Sequence, residues 1–220
     1  MYGLDDTKMG KVKKLVQDAA HKKPEDTLVV IRHGATALNS ESHERIRGWK
    51  DVPLSDEGRA DADKMGRELK KMKPKIDGII TSDLSRAHDT AKAVSKHTGA
   101  PILKVTKGLR PWNLGDFQGK DVKTTLPQMQ DFIKNKPDEQ VPGGESFNAF
   151  KRRFIKLVEA VQKKYPKHKM AIVTHHRGER LLQGWINEGQ PKDPKKISHK
   201  VFMDKGIKPG SYTAHEIPPK

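Results

Sequence analysis

Residues 29–39 read VVIRHGATALN. Val29, Val30 and Ile31 are contiguous and β-branched, which predicts a strand, and the run ends on Arg32, His33 and Gly34 instead of an ordinary polar turn. A guanidinium and an imidazole side by side at the carboxyl end of a strand are suited to an anion. Taken alone, His33 reads equally as a nucleophile, a metal ligand or a turn residue. The rest of the chain has to choose among these.

Working outward, TLVVI (27–31), DGIITS (77–82), PILKV (101–105) and MAIVT (170–174) form short apolar runs of the kind found in strands buried on both faces of a parallel sheet. Between them lie helix signals. Ser55 with Asp56 and Glu57 behind it precedes Ala62, Met65, Leu69 and Met72, three or four apart. Leu84, Ala87, Ala91 and Val94 repeat that spacing, with an end expected near Gly99-Ala100-Pro101. After Gly143-Gly144, the residues Phe147, Phe150, Phe154, Leu157, Val158 and Val161 make a broad apolar stripe that belongs in a core. This alternation predicts an α/β fold in three layers, a mainly parallel central sheet with helices on both faces.

The chain has 220 residues, enough for one sizeable core. Residues 1–24 are polar and Lys-rich and read as a basic N-terminal extension, with the organised domain over 25–220. Cys is absent, which excludes disulfides and thiolate metal sites and is compatible with a reducing compartment. No run is long and apolar enough to span a membrane, so the expectation is a cytoplasmic, soluble protein with no membrane partner. Lys plus Arg is 44 against 28 Asp plus Glu, a net charge of +16 that favours anionic partners. The basic residues are scattered and aromatics are 5%, so no stacking platform is evident: nucleic acid is an unlikely partner and a small phosphorylated substrate the favoured one.

Sites in α/β sheets lie at the carboxyl ends of strands. Arg32 and His33 follow the first expected strand, Arg86 comes shortly after the second, and His175 directly follows the fourth. Two guanidinium forks can hold the oxygens of one phosphoryl group, a neutral His33 can attack phosphorus in line, and a protonated His175 can stabilise charge on the equatorial oxygens. The competing metal reading rests on ten His, including His175-His176. No His-x-x-x-His or His-Glu-x-x-His spacing occurs, and neighbouring arginines repel a cation, so no metal is expected.

RHGATALN, GWKDVPLSDEGRADA, TSDLSRAHDTA, PGGESF and IVTHHRGERLL, in that order, resemble the histidine phosphatase superfamily, the phosphoglycerate-mutase-like enzymes, over roughly residues 27 to 187. The resemblance implies the phosphoglycerate-mutase-like fold, a late strand at GSYTAHEI (210–217), and a phosphohistidine formed at His33 with Arg32, Arg86 and His175 completing the phosphate pocket. It also implies that Asn39 orients the nucleophile or contacts the phosphoryl group, with Thr36 and the backbone at Gly48 as further substrate contacts, and it implies no metal and no organic cofactor. One departure stands out. In the pattern Leu-x-Glu-x-x-x-Gly, whose Glu protonates the leaving oxygen, Leu109 and Gly115 match but Pro111 occupies the acid's place. Another branch of the family places an Asp directly after the second histidine, and that place holds His176.

The expected activity is therefore that of a metal-independent phosphoric monoester hydrolase. Asp116, Glu145 and His176 are candidate replacements for the acid; otherwise the substrate has a leaving group that needs little help. A phosphoglycerate-mutase-type transferase and a catalytically weak phosphate-binding protein are the alternatives. The absence of Arg between Gly119 and Pro142, where the mutases are expected to carry an arginine pair, favours hydrolysis over the mutase.

Overall fold

Leu28 and Val30 pack with one group of buried residues and Val29 and Ile31 with another, because successive side chains of a strand point to opposite faces. This strand, β1 (Asp26–Arg32), is central to the computed structural model, which describes residues 26–40, 45–203 and 206–217. The extension expected over residues 1–24 lies outside the described residues. A one-turn helix α1 (Ala37–Ser40) follows, then α2 (Asp56–Lys70), β2 (Gly78–Ser82), α3 (Ser85–Thr98) and β3 (Ile102–Thr106). The chain continues through α4 (Val122–Lys134), α5 (Phe147–Lys164), β4 (Lys169–Thr174), α6 (His176–Asn187) and β5 (Tyr212–Ile217).

The strands form one sheet in the order β3-β2-β4-β1-β5, parallel except for β5, which runs antiparallel along β1. All five strands anticipated from the sequence are present, and the late strand supplies the single antiparallel edge. Helices α2 and α3 cover one face, where Met65, Leu69, Ala87, Ala91 and Val94 meet Val29, Ile31, Ala171 and Val173. Helices α4, α5 and α6 cover the other. The expected three layers are thus the observed ones.

Local signals explain the boundaries. Ser55 caps α2, its hydroxyl accepting from the Gly58 N–H at 3.1 Å, and Gly99 ends α3 in the left-handed region at φ 77°. The aromatic helix starts at Phe147, capped by Ser146, whereas Gly143 and Gly144 form the turn before it. Helices α4 and α6 go beyond the helices expected. Pro127 sits inside α4 and obscures its period, and α6 begins within the histidine motif itself.

The topology places the site. Because β4 lies between β1 and β2, the carboxyl ends of three adjacent strands, about 140 residues apart in sequence, open side by side, with Arg32 level with Thr174 and Thr81 level with Val173. Phe154, fully buried, packs α5 against the sheet and against Gly178 at the start of α6. Phe154→Ala is expected to cost about 3–5 kcal/mol in urea denaturation, whereas a loss under 1 kcal/mol contradicts this packing.

Candidate active site

Of the anticipated residues, Arg32, His33, Gly48, Arg86 and His175 line a common cavity. The His33 N–H donates to the Thr174 carbonyl at 3.1 Å, which prolongs the β1–β4 ladder by one residue and holds the imidazole beside His175. The two rings stand edge to face with centroids 5.1 Å apart, and both are 3% exposed. Gly34 is required here for closeness: a Cβ on it would lie 2.3 Å from the Gly58 carbonyl oxygen, so the chain turns directly against the first turn of α2. The Gly34 N–H donates to Thr90 Oγ1 at 3.1 Å, and Thr90 in turn donates to the Arg86 carbonyl, tying the turn to α3.

The tautomer of His33 follows from its partner. Nδ1 lies 2.7 Å from the Gly34 carbonyl oxygen, which can only accept, so Nδ1 carries the proton and the lone pair sits on Nε2. Burial, and then the charge of Arg86, pushes the imidazole well below the usual histidine range. A neutral ring with a free lone pair on Nε2 is the form a nucleophile needs.

Arg86 is 1% exposed and donates to three acceptors from two segments of the chain. Nε donates to His175 Nδ1 at 3.2 Å, Nη1 to the Lys50 carbonyl at 2.9 Å and Nη2 to the Gly48 carbonyl at 3.1 Å. Two of its five N–H groups remain for an anion. Its pKa falls to about 10 through burial, which leaves it charged at neutral pH. Gly48, at φ 49°, has no room for a Cβ beside the Gln118 side chain, so this glycine both turns the chain and offers its carbonyl to Arg86.

The protonated His175 anticipated from the sequence is not the state this arrangement holds. Since Arg86 Nε can only donate, His175 Nδ1 accepts, and its Nε2–H then donates to Ser82 Oγ at 2.9 Å. Burial, followed by the charge of Arg86, pushes its pKa well down. Arg32 lines the cavity with Nη1 donating to the Ile207 carbonyl at 2.6 Å. Thr36 is buried and accepts from Arg47 Nη1 at 3.2 Å, off the cavity wall. Asn39 lies in α1, and its side chain is outside the described residues.

The cavity encloses about 450 Å³. Arg45, Arg47 and Arg177 join Arg32 and Arg86 on its wall, and sequence reasoning missed all three. Arg45 and Arg47 flank Ile46 just ahead of the GWKD motif, and Arg177 stands two residues after His175, so alternation and proximity to the motifs were the available signals. No Arg comes from the stretch between Gly119 and Pro142, yet the cavity is rich in arginine because other segments supply it.

Pro111 lines the cavity and its carbonyl is braced by Trp49 Nε1 at 2.8 Å and Arg153 Nη2 at 3.2 Å. Of the three candidate acids, Glu145 is paired with Arg153 at 2.7 Å and accepts from the Asn113 N–H, and Asp116 is exposed beside Gly143. Neither faces the cavity. His176 does, but burial, and then Arg32, lowers its pKa to about 3 and its Nε2 accepts from the Gly206 N–H. A neutral imidazole is a poor acid. Among the described residues no carboxyl or hydroxyl group lines the cavity, and no group of three His, Cys, Asp or Glu is placed to hold a metal ion.

A neutral imidazole in an arginine-lined cavity at the end of a parallel sheet is suited to an anion. The chain belongs to the histidine phosphatase superfamily (branch 1), whose family model matches residues 28–202. It is 33% identical over 153 residues to phosphoglycerate mutase-like protein 4 of Arabidopsis thaliana, covering 67% of this chain and 65% of that protein. It is 29% identical to the metal-independent phosphoserine phosphatase of the same plant, covering 67% and 63%. The match thus spans a little under two thirds of these relatives. Among solved structures, a mycobacterial glucosyl-3-phosphoglycerate phosphatase with VO3 superposes with a TM-score of 0.69 at 28% identity, covering 86% of this chain and 92% of that one.

The lowered pKa of His176 has a consequence for stability. Below the unfolded value of about 6.5 the unfolded chain takes up a proton that the folded chain refuses until about pH 3, so stability is fully present above 6.5 and falls as the pH drops below it. His176→Gln is expected to lose up to about 2 kcal/mol less than the wild type between pH 6.5 and 5 in urea denaturation. Identical losses in both proteins contradict the burial of a neutral ring.

Proposed function

We propose that the protein is a metal-independent phosphatase that hydrolyses a small phosphorylated substrate through a phosphohistidine on His33. The single observation that carries this reading is the His33 Nδ1 bond to the Gly34 carbonyl, which leaves Nε2 unprotonated among arginines. Arg32 and the two unused N–H groups of Arg86 hold the phosphoryl oxygens, and the Nε2–H of His175 is available to turn from Ser82 towards them. Asn39 contacts the phosphoryl group or orients the nucleophile, while Thr36 and Gly48 act by holding Arg47 and Arg86.

In the first step the Nε2 lone pair forms the N–P bond as the P–O bond to the leaving group breaks, its electron pair staying on the leaving oxygen. In the second, water attacks phosphorus, the N–P pair returns to Nε2, and the proton of the water is released to solvent. Guanidinium donors held in place beforehand stabilise charge on the phosphoryl oxygens throughout. A cytoplasmic setting suits a chain without Cys, and among the described residues no helix is long and apolar enough to cross a membrane.

Transfer of the phosphoryl group to a second position of the substrate is the alternative reading, supported by the mutase relatives and by the arginines beyond the phosphate clamp. Exchange between glycerate positions faster than phosphate release would establish it. For the phosphatase, quenching with labelled p-nitrophenyl phosphate in the presence of chelator is expected to trap an acid-labile, alkali-stable phosphoprotein that His33→Ala abolishes. Label that persists in His33→Ala sinks the assignment.

A further inference from the structure

The cavity carries more positive charge than one phosphoryl group uses. Arg177 points its guanidinium over the Trp112 ring at 5.7 Å and, among the described residues, makes no hydrogen bond or ion pair. A half-buried guanidinium with five N–H donors and no acceptor is costly unless an anion meets it. Arg47 reaches into the same space: its charge is felt at His33, Arg86, His175 and His176 alike, so it stands close to the whole phosphate clamp. Its Nη1 donates to Thr36 Oγ1 at 3.2 Å, which fixes the side chain of an arginine that itself lines the cavity. Arg47 and Arg177 line the cavity together with Pro111 and His176, and the charge of each is felt at His176.

The same wall offers no carboxyl or hydroxyl group among the described residues. An alkoxide is about as basic as hydroxide and leaves slowly without a proton, whereas a phosphate leaving group, with a second pKa near 6, leaves as an anion. The rest of the lining is apolar: Ile46, Leu114, Val122, Leu126, Met129 and Phe202 face a volume larger than a single phosphate fills. Acyl phosphates satisfy the missing acid but not the second cluster of arginines. Phosphomonoesters of acids satisfy the arginines but not the missing acid.

We infer that the substrate is an organic diphosphate with an apolar body, and that Arg47 and Arg177 form a second anion subsite that receives the leaving phosphate and so replaces the general acid. This inference rests on the phosphatase reading. His33 Nε2 attacks the terminal phosphorus, the P–O bond to the bridging oxygen breaks, and its electron pair leaves on the organic monophosphate, held by the two guanidinium groups without protonation. Water then attacks the phosphohistidine, and the products are the organic monophosphate, inorganic phosphate and one proton.

The test compares geranyl diphosphate, geranyl monophosphate, ADP and p-nitrophenyl phosphate in chelator. The kcat/KM for geranyl diphosphate is expected to exceed that for geranyl monophosphate by roughly 100-fold or more, the scale of a general acid's contribution, with ADP between them. Equal rates for the two geranyl compounds, or a preference for ADP, overturn the inference. Arg177→Met and Arg47→Met are each expected to lower the diphosphate-to-p-nitrophenyl phosphate ratio by roughly 10-fold or more, and parallel losses on both substrates overturn it. If p-nitrophenyl phosphate labels His33 while the diphosphate is not hydrolysed, the inference fails and the phosphatase stands. If nothing labels His33, both fail.

Discussion

The hydrogen bond from His33 Nδ1 to the Gly34 carbonyl, made inside a cavity surrounded by guanidinium charge, sets the state of the whole site. It fixes the proton on one ring nitrogen and turns the other, unprotonated, into the cavity. Charge then keeps it so: a second proton on either ring would sit in a buried space beside Arg86 and another imidazole 5.1 Å away. The arginines lining the cavity are thus also the groups that keep the nucleophile unprotonated. Binding and activation share one electrostatic cause.

That arrangement needs Arg86 held without neutralising it. Carbonyl oxygens of Gly48 and Lys50 and the Nδ1 of His175 accept from it, and none carries a full charge, so the guanidinium remains available to phosphate while its position is fixed. Asp83, the acidic residue at the end of β2, is bound instead by Arg110 through two contacts of 2.7 Å. Arg110 in turn lies over Trp49, which reaches the Pro111 carbonyl. The wall around Pro111 is therefore constructed from interlocked aromatic and cationic groups, and Glu145 is spent on Arg153 within that construction.

Much of this was legible in the sequence, for physical reasons. Strands buried on both faces appear as unbroken apolar runs, so β1, β2 and β4 could be read directly, and residues that follow such runs fall at the sheet's carboxyl edge. That logic brought Arg32, His33, Arg86 and His175 together before any coordinates. Arg45, Arg47 and Arg177 were not legible, since they reach one cavity wall from positions about 130 apart in sequence. The ionisation of His175 was also hidden: it depends on burial and on which atom of Arg86 faces it, and neither has a local signature. Helix α4 escaped because Pro127, its sixth residue, lacks the N–H that would reach the Lys123 carbonyl and so reads as a helix breaker.

The protonation state of His33 is the most direct test of this account. Long-range proton–nitrogen correlation spectra of the histidine side chains at pH 6, assigned by comparison with His33→Ala, are predicted to show His33 neutral with its proton on Nδ1. An imidazolium at that pH, or a neutral ring protonated on Nε2, would contradict it.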